Sequence, residues 1–203
     1  MSEQLIIALG REFGSGGHEI ARLLAGRFSL PLYEKNMLEE IARTKGLDAG
    51  SLAPYDEQPK NHLMYRTVNG FSNAPGDVIA RMQFQYLRER AEEGKSFVVL
   101  GRCAEEVLRD LPGLISIFVL ADRDFKLPRI MERGASTSGE ALSMMARKDR
   151  KRRLYHNQFC KGKWGDPHNY DLTVNSARLG IQGTANFLEQ YIRDRLAFSK
   201  LAP

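Results

Sequence analysis

The sequence is poor in cysteine and has no long apolar run. Its 203 residues include two cysteines, Cys103 and Cys160, which are too few for a scaffold held together by disulfides. Every unbroken apolar stretch is far shorter than the ~20 residues that span a bilayer, and the first residues lack the basic start and apolar core of a signal peptide. Internal repeats and low-complexity tracts are also missing. These absences predict a cytoplasmic protein without a membrane segment.

Metal-binding patterns are missing as well. His18, His62, His156 and His168 are scattered along the chain, and neither cysteine belongs to a Cys-x-x-Cys pair. Structural zinc sites usually draw their ligands from such closely spaced pairs. The sequence therefore predicts no metal site built from protein side chains.

The excess of positive charge lies in one short segment. The chain has 30 basic and 25 acidic residues, a formal net charge of +5. Residues 147–153 hold six bases and one acid, Asp149, so the rest of the chain has no net charge. The six bases are Arg147, Lys148, Arg150, Lys151, Arg152 and Arg153. Charge this local favours a small anionic ligand over an extended nucleic-acid surface, with a solvated helix face as the open alternative.

Short apolar runs alternate with helical patterns along the chain. Residues 5–9, 97–100 and 114–120 are apolar runs typical of parallel strands buried on both faces, and 32–33 and 172–174 are weaker candidates. Strands that alternate with helices predict right-handed crossover connections. We therefore expect an α/β protein, a three-layer α/β/α fold with a five-stranded parallel sheet.

Two polar segments do not fit such a sheet. Residues 46–76, which contain three prolines, predict a mobile insertion, and residues 133–139 predict a hinge or the entry to a lid. The C-terminal stretch has apolar residues at helical spacing and predicts an amphipathic closing helix. Those residues are Phe187, Leu188, Tyr191, Ile192 and Leu196.

A glycine-rich loop, from Gly10 to Glu19, joins the first predicted strand to the first predicted helix. The N–H groups and the dipole at a helix N-terminus favour an anion there. Glycine lets the backbone turn sharply and approach a ligand, and a serine adds a hydroxyl donor. We expect a phosphate ligand, with a plain tight turn as the alternative. The residues expected to hold the phosphate are Arg11, Gly14, Ser15, Gly16, Gly17 and His18.

The loop differs from the common nucleotide-binding motifs. When Gly16 is the second glycine of G-x-x-x-x-G-K-[ST], Gly17 stands at the lysine and His18 at the hydroxyl residue. Arg11, at the first glycine position, or arginines elsewhere would then supply the charge that the lysine gives to the β and γ phosphates. A dinucleotide fingerprint fails because Glu19 takes its third glycine position, which leaves a nicotinamide enzyme as a minor alternative.

Arg102 follows the predicted strand 97–100 by two residues. Open α/β sheets bind ligands at this end of their strands, so Arg102 should lie over the cleft. Its planar guanidinium can grip a phosphate or a base edge through two parallel hydrogen bonds. A capping or surface-pair arginine is the alternative.

A helical stripe that starts at Leu142 changes from apolar to charged. It passes through Met145 and Ala146 and continues to Asp149, Arg152, Arg153 and His156. The second half of this helix should therefore overhang the cleft, where arginines can neutralise a phosphoryl group in transfer. Simple pairing of the aspartate with the arginine three residues later is the alternative.

Taken together, these segments resemble the cytidylate kinase-like family, relatives of nucleoside monophosphate kinases that lack the lysine of the P-loop. The resemblance rests on the glycine-rich residues 10–17, on Leu100-Gly-Arg-Cys-Ala104, and on residues 164–175, Trp-Gly-Asp-Pro-His-Asn-Tyr-Asp-Leu-Thr-Val-Asn. It implies a P-loop nucleoside monophosphate kinase-like fold and a single kinase-like domain over residues 1–203. It also implies an acceptor-binding insertion over about 34–95 and an arginine-bearing lid over about 126–160 that closes over ATP.

The family motifs are matched only in part. Cytidylate kinases have Gly-Arg-Asp where this chain has Gly-Arg-Cys at residues 101–103. A family aspartate followed three residues later by an arginine matches Asp149 and Arg152, but the arginine four residues before that aspartate is Met145 here. The resemblance implies that Arg102, Asp149 and Arg152 contact the acceptor, that residues 14–17 hold the ATP phosphates, and that Mg²⁺ takes part.

We therefore predict an enzyme that moves the γ-phosphoryl group of ATP to a nucleoside monophosphate such as CMP or dCMP. Arg150, Arg152 or Arg153 should stabilise the group in transfer, and no covalent intermediate is needed. The missing lysine and aspartate favour an alternative, a non-catalytic or regulatory nucleotide-binding protein. A nucleic-acid-binding protein that uses residues 147–153 is a third hypothesis. Small-molecule nucleotides are the expected partners.

Overall fold

The computed structural model describes residues 4–34, 36–56, 67–68, 71–72 and 74–199. Five of its strands form one parallel sheet in the order β2-β5-β1-β6-β7. These strands are β1 (Ile6–Arg11), β2 (Leu32–Tyr33), β5 (Phe97–Leu100), β6 (Leu114–Leu120) and β7 (Leu172–Asn175). The predicted five-stranded parallel sheet is confirmed, including its two weakest strands.

Strand β1 lies at the centre of the sheet because its side chains are apolar on both faces. Ile6 pairs in register with Phe97 on one side and with Leu114 on the other. Ile7 and Leu9 are fully buried against one helical layer. Ile6 and Ala8 belong to the core on the opposite face. An unbroken apolar run is what a strand covered on both sides requires.

Helices cover both faces of the sheet. On one face α1 (Gly17–Arg27) packs beside α8 (Gly180–Ser199). On the other face lie α2 (Asn36–Lys45), α4 (Pro75–Glu92) and α5 (Ala104–Val107). Each fully buried Leu or Ile side chain in these layers contributes about 1.5–3 kcal/mol. The three-layer arrangement agrees with the predicted fold class.

The described residues between β2 and β5 are largely helical. Besides α2 and α4 it contains the short helix α3 (Ala49–Leu52). Two-residue strands, β3 (Thr67–Val68) and β4 (Phe71–Ser72), pair antiparallel, which the sequence analysis did not predict. The predicted mobile insertion also includes residues 57–66, 69–70 and 73, which lie outside the described residues.

Beyond β6, α6 (Arg123–Met131) and α7 (Ser138–Phe159) form a helical hairpin. The connection between them falls within the predicted hinge. Thr137 caps α7, since its Oγ1 accepts a hydrogen bond from the Glu140 N–H at 3.1 Å. The Glu140 carboxylate in turn accepts from the Ser136 N–H at 2.8 Å. These two bonds satisfy backbone donors that the first helical turn leaves over, and they determine where α7 begins.

Two details of the predicted helical faces are wrong. In α7, Met145 is buried but Ala146 and Arg153 are exposed, because buried residues at helical spacing lead from Met145 to His156 without them. In α8, Phe187 is 45% exposed and the core side chains are Leu188 and Ile192.

No helix in the described part of the chain is long and apolar enough to cross a membrane.

Candidate functional site

A cavity of about 420 Å³ opens at the carboxyl ends of β1 and β5, between the glycine-rich loop and α7. Ligands of open α/β proteins bind at this end of the sheet. Seven of the predicted site residues line the cavity, namely Arg11, Gly14, Gly16, Gly17, His18, Arg102 and Arg152. Acids line it as well, Glu12, Glu19 and Glu34, together with Arg133, which the sequence analysis did not single out.

Gly14, Gly16 and His18 of the glycine-rich loop line this cavity. Gly14 has φ of 85° and Gly16, the N-cap of α1, has φ of 80°, a conformation that favours glycine. No hydrogen bond from the N–H groups of Gly14, Gly16 or His18 occurs among the described residues. Three donors beside a helix N-terminus make a site for an anion such as a phosphate group.

Other polar groups of the loop form hydrogen bonds within the protein. Ser15 is fully buried, and its hydroxyl donates to the Glu12 carbonyl at 2.9 Å. Ser15 does not line the cavity, and its hydroxyl stabilises the loop through this hydrogen bond. The Ser15 carbonyl accepts a hydrogen bond of 2.6 Å from the Ser176 hydroxyl, which follows β7.

Two basic side chains of α6 contact the glycine-rich loop. The Lys126 ammonium lies 2.7 Å from the Glu12 carboxylate, and Arg129 Nε donates to the Gly14 carbonyl at 3.3 Å. The sequence analysis missed both side chains. A signal was present, because α6 starts directly after β6, the neighbour of β1, and its first turns must lie at the same sheet edge as the loop.

Arg11 takes the space that a side chain at residue 17 would need. A Cβ added to Gly17 would lie 2.6 Å from the Arg11 Cβ, closer than real Cβ atoms approach. Residue 17 is the position of the lysine in the ordinary P-loop motif. With Arg11 in this place the backbone leaves no room for that lysine, and the cation that lines the cavity here is a guanidinium.

Arg102 sits in an unusual backbone conformation at the end of β5. Gly101, Arg102 and Cys103 have φ of 78°, 60° and 54°, and non-glycine residues held there mark strained positions that often serve function. The Arg102 side chain is 3% exposed, and one Nη lies 2.7 Å from the Asp56 carboxylate. Asp56 also accepts a hydrogen bond of 3.0 Å from Gln83. A carboxylate from outside the predicted motifs thus orients the guanidinium.

From the basic stretch of α7, only Arg152 reaches the cavity. Its guanidinium lies 3.4 Å from the Arg11 carbonyl, 3.5 Å from Asp149 and 5.8 Å from the centre of the Phe13 ring. Two other predicted arginines, Arg150 and Arg153, are exposed and do not line it. The Arg153 guanidinium lies over the ring of Trp164 at 5.5 Å.

Asp149 connects α7 to the glycine-rich loop. Its carboxylate accepts a hydrogen bond of 2.7 Å from the Phe13 N–H and does not line the cavity. Burial raises the pKa of this carboxyl above its usual value, although the Phe13 N–H and the guanidinium of Arg152 act in the opposite direction. In this structure Asp149 therefore positions the glycine-rich loop through its hydrogen bond to Phe13.

Glu19, in the first turn of α1, forms ion pairs with two arginines of the α6–α7 hairpin. Arg129 lies 2.9 Å from its carboxylate, and Arg133 makes a second ion pair with the same oxygen. Burial raises the pKa of Glu19, but its own backbone N–H and the two guanidinium groups outweigh this, so the pKa lies below its usual value. His18, the next residue towards the loop, pairs with Glu34 at 2.9 Å.

The segment after α7 packs its aromatic side chains against β6, next to the site. Trp164 and Tyr170 both pack against Phe118, with ring centres 5.3 and 5.1 Å apart. A Cβ added to Gly10 would lie 2.8 Å from Phe118, so a glycine is required where this aromatic group meets β1. Trp164 and Tyr170, from the segment that carries the family resemblance, thus pack on β6 beside the start of the glycine-rich loop.

A model of the cytidylate kinase-like family matches residues 6–178. No curated protein matches the chain.

Three solved structures are similar over nearly the full chain. An uncharacterized protein from Eubacterium ventriosum ATCC 27560 is 38% identical with a TM-score of 0.74, covering 94% of this chain and 99% of that one. A shikimate kinase from Bacteroides thetaiotaomicron is 13% identical with a TM-score of 0.54, covering 93% and 98%. A putative kinase from Chloroflexus aurantiacus J-10-fl is 16% identical with a TM-score of 0.52, covering 96% and 99%. The last two likenesses establish a kinase-like fold.

Proposed function

The chain belongs to the cytidylate kinase-like family, and from that membership we propose that it transfers the γ-phosphoryl group of ATP to a nucleoside monophosphate, with CMP or dCMP as the favoured acceptor. One observation carries the proposal: glycines of the glycine-rich loop, Arg102 and Arg152 all border one cavity. A nucleotide kinase needs this combination, because it must hold two phosphate groups and neutralise the charge between them.

The loop is the proposed donor site. The N–H groups of Gly14, Gly16 and His18 and the N-terminus of α1 would bind the β and γ phosphates of ATP. Arg11, which excludes a side chain at residue 17, would supply the positive charge of the missing lysine. Arginine can form two parallel hydrogen bonds to a phosphate, so it can replace the point charge of a lysine there.

Arg102 is the proposed contact for the acceptor phosphate. It is held by Asp56 at 2.7 Å and is almost fully buried, so it is oriented before any ligand arrives. Such preorganisation lowers the cost of binding. The family aspartate next to this arginine is Cys103 here. The acceptor base would therefore be read by other groups than in the family pattern.

Arg152 is the proposed catalytic residue. It lines the same cavity as the loop and Arg102, and a guanidinium there can stabilise the equatorial oxygens of the phosphoryl group in transfer. When Mg²⁺ is bound with ATP, it neutralises phosphate charge. Glu12 and Glu34 line the cavity and offer the oxygen ligands that Mg²⁺ prefers. Residues 126–160, with α7, would act as a lid over the donor.

The test of the whole proposal is ADP formation from ATP and Mg²⁺ with a panel of nucleoside monophosphates, with nucleotide binding measured in parallel. We expect turnover with CMP or dCMP well above the rate without acceptor. Binding of ATP without turnover on any acceptor would overturn the proposal in favour of a non-catalytic nucleotide-binding protein, which the absent lysine and aspartate suggest.

Arg11 allows a sharper test of the donor site. Arg11→Ala should raise the KM for ATP or lower kcat because it removes the charge that is proposed to replace that of the P-loop lysine. Arg11→Lys keeps a positive charge and should recover part of the loss. Unchanged kinetics in Arg11→Ala would remove this residue from the mechanism.

A further inference from the structure

A buried group of potential metal ligands lies outside the residues that the proposed function uses. Glu105 belongs to α5, and His156 and Cys160 lie at the C-terminal end of α7. One ligand atom of each lies within 4.8 Å of the others. The Nε2 atom of His156 is 2.6 Å from a carboxylate oxygen of Glu105, and these side chains are only 7% and 5% exposed. Sequence spacing did not reveal this group, because Glu105 and His156 are 51 positions apart in the chain.

We propose that Glu105, His156 and Cys160 form a binding site for one Zn²⁺ ion. Tetrahedral zinc with bonds of about 2.0–2.3 Å needs ligand atoms roughly 3.3–3.7 Å apart. The three atoms already lie within 4.8 Å of one another, so small side-chain rotations bring them to that spacing. The ion replaces the proton between His156 and Glu105, and the two groups separate by less than 1 Å from their 2.6 Å contact.

The mixed ligand set indicates which metal binds. A thiolate selects against Mg²⁺ and Ca²⁺, whereas zinc accepts sulfur, nitrogen and oxygen together. Cys103 belongs to the buried cluster against which Cys160 packs. Such supporting contacts around the ligands commonly tune metal affinity.

Space and charge at this place allow an ion. A cavity of about 20 Å³ borders Glu105 and His156, which is room for a single water-sized occupant. Arg102 and Arg152 border the same cavity and repel a cation. The carboxylate and the thiolate carry two negative charges that offset this repulsion. They also bind the ion directly, and the arginines do not.

A metal here would join the sheet to the helix that carries Arg152. His156 lies one turn beyond that arginine on α7, and Glu105 lies in the helix that follows Arg102. Zinc would therefore hold α7 in the orientation that places Arg152 over the large cavity. Its proposed role is to hold α7 in place, which does not depend on turnover. Three protein ligands leave the fourth tetrahedral position to a water.

The experiment measures zinc content and cobalt absorption of the full chain. The purified protein is stripped with a chelator, loaded with Zn²⁺, washed and analysed by mass spectrometry for bound metal. We expect one zinc per chain. Loading with Co²⁺ instead should give the absorption of a tetrahedral site together with a thiolate-to-cobalt charge-transfer band. If the wild-type chain retains no stoichiometric zinc or gives no such band, the proposal is overturned.

Two variants locate the site. Cys160→Ser is nearly isosteric and should weaken zinc binding at least about 100-fold, beyond what loss of a supporting contact costs. His168→Gln is the matched control, because His168 also pairs with a carboxylate, at 2.9 Å from Asp166, but is 91% exposed and has no thiol in the pair. It should bind zinc as the wild type does. Equal binding by Cys160→Ser would overturn the site, while the cobalt spectrum of the wild type decides the matter if this variant does not fold. Neither readout requires kinase activity, so failure of the proposed function would be seen separately.

Discussion

The glycine-rich loop and the basic stretch of α7 face each other across one cavity, and their sequences specify them to different degrees. Gly14 and Gly16 hold φ of 85° and 80°, which only glycine adopts at little cost, so the local sequence specifies the backbone. Residues 147–153 carry six bases, yet Arg152 alone among them lines the cavity. Gly14 and Gly16 both line the cavity, whereas the charge of the stretch does not show which of its bases will do so.

The difference follows from helix geometry. Successive residues of a helix are turned by about 100°, so a run of bases points in every direction. Arg152 lies near the line that leads from Met145 through Asp149 to His156, all partly or fully buried. Arg150 and Arg153 lie off this line and are exposed. Packing of α7 thus selects one side chain from six similar ones.

The strongest test of this selection is the pair Arg152→Ala and Arg150→Ala. Under the proposed mechanism the first should lower kcat on the order of 10³-fold or more, the usual effect of removing an arginine that stabilises phosphoryl transfer. The second should change kcat less than a few-fold. Steady-state ADP formation measures both, and thermal melts show whether each variant is folded. Equal losses would mean that the charge of the stretch matters and not its geometry.

The next test addresses the bond between α7 and the loop. Asp149→Ala leaves the Phe13 N–H without its acceptor and should lower the free energy of unfolding by about 1–3 kcal/mol. Asp149→Asn keeps an oxygen at that place and should cost less. Urea unfolding of the two variants measures the difference. If the asparagine variant lost as much stability as the alanine variant, the negative charge beside Arg152 would be the main contribution.

The loop backbone can be tested with Gly16→Ala against Gly26→Ala. At residue 16 a side chain must adopt a positive φ, and its Cβ would lie 2.8 Å from Ile181, so we expect a loss of about 1–2 kcal/mol and weaker ATP binding. At residue 26, inside α1, a Cβ meets nothing within 4 Å. That variant should be unchanged or up to about 1 kcal/mol more stable. Thermal unfolding compares them, and similar stabilities would show that the loop backbone can relax.

The smallest expected effect concerns Glu19, which joins α1 to the hairpin. Its pKa in the folded protein lies below the ordinary 4.5, so its ion pairs contribute stability above that pH and lose it as the pH falls through the folded pKa. Glu19→Gln should therefore be less stable than the wild type at neutral pH, with the gap closing in acid. The gap should be small and salt-sensitive because the carboxylate is about one-third exposed. Acid titrations of unfolding in low and high salt measure it.

The sequence was informative wherever a signal was local. Apolar runs predicted all five strands of the main sheet, and the glycines at 14 and 16 marked the loop. The antiparallel pair β3–β4 was missed because its strands lie in the polar segment 46–76 and contain no apolar run. Asp56 and Ser176 were missed because no spacing connects them to Arg102 or to Ser15. Their contacts, 2.7 and 2.6 Å long, join residues 46 and 161 positions apart.

The amino-acid sequence alone determined the layer order, the phosphate-type loop and the family, since these follow from side-chain polarity and backbone freedom of neighbouring residues. Only the tertiary structure decided that Arg152 and not Arg150 faces the cavity, that Arg11 fills the space beside Gly17, and that a glutamate, a histidine and a cysteine from distant segments meet. These outcomes depend on how helices pack on the sheet. Packing is a sum over many distant contacts, and no short stretch of sequence contains it.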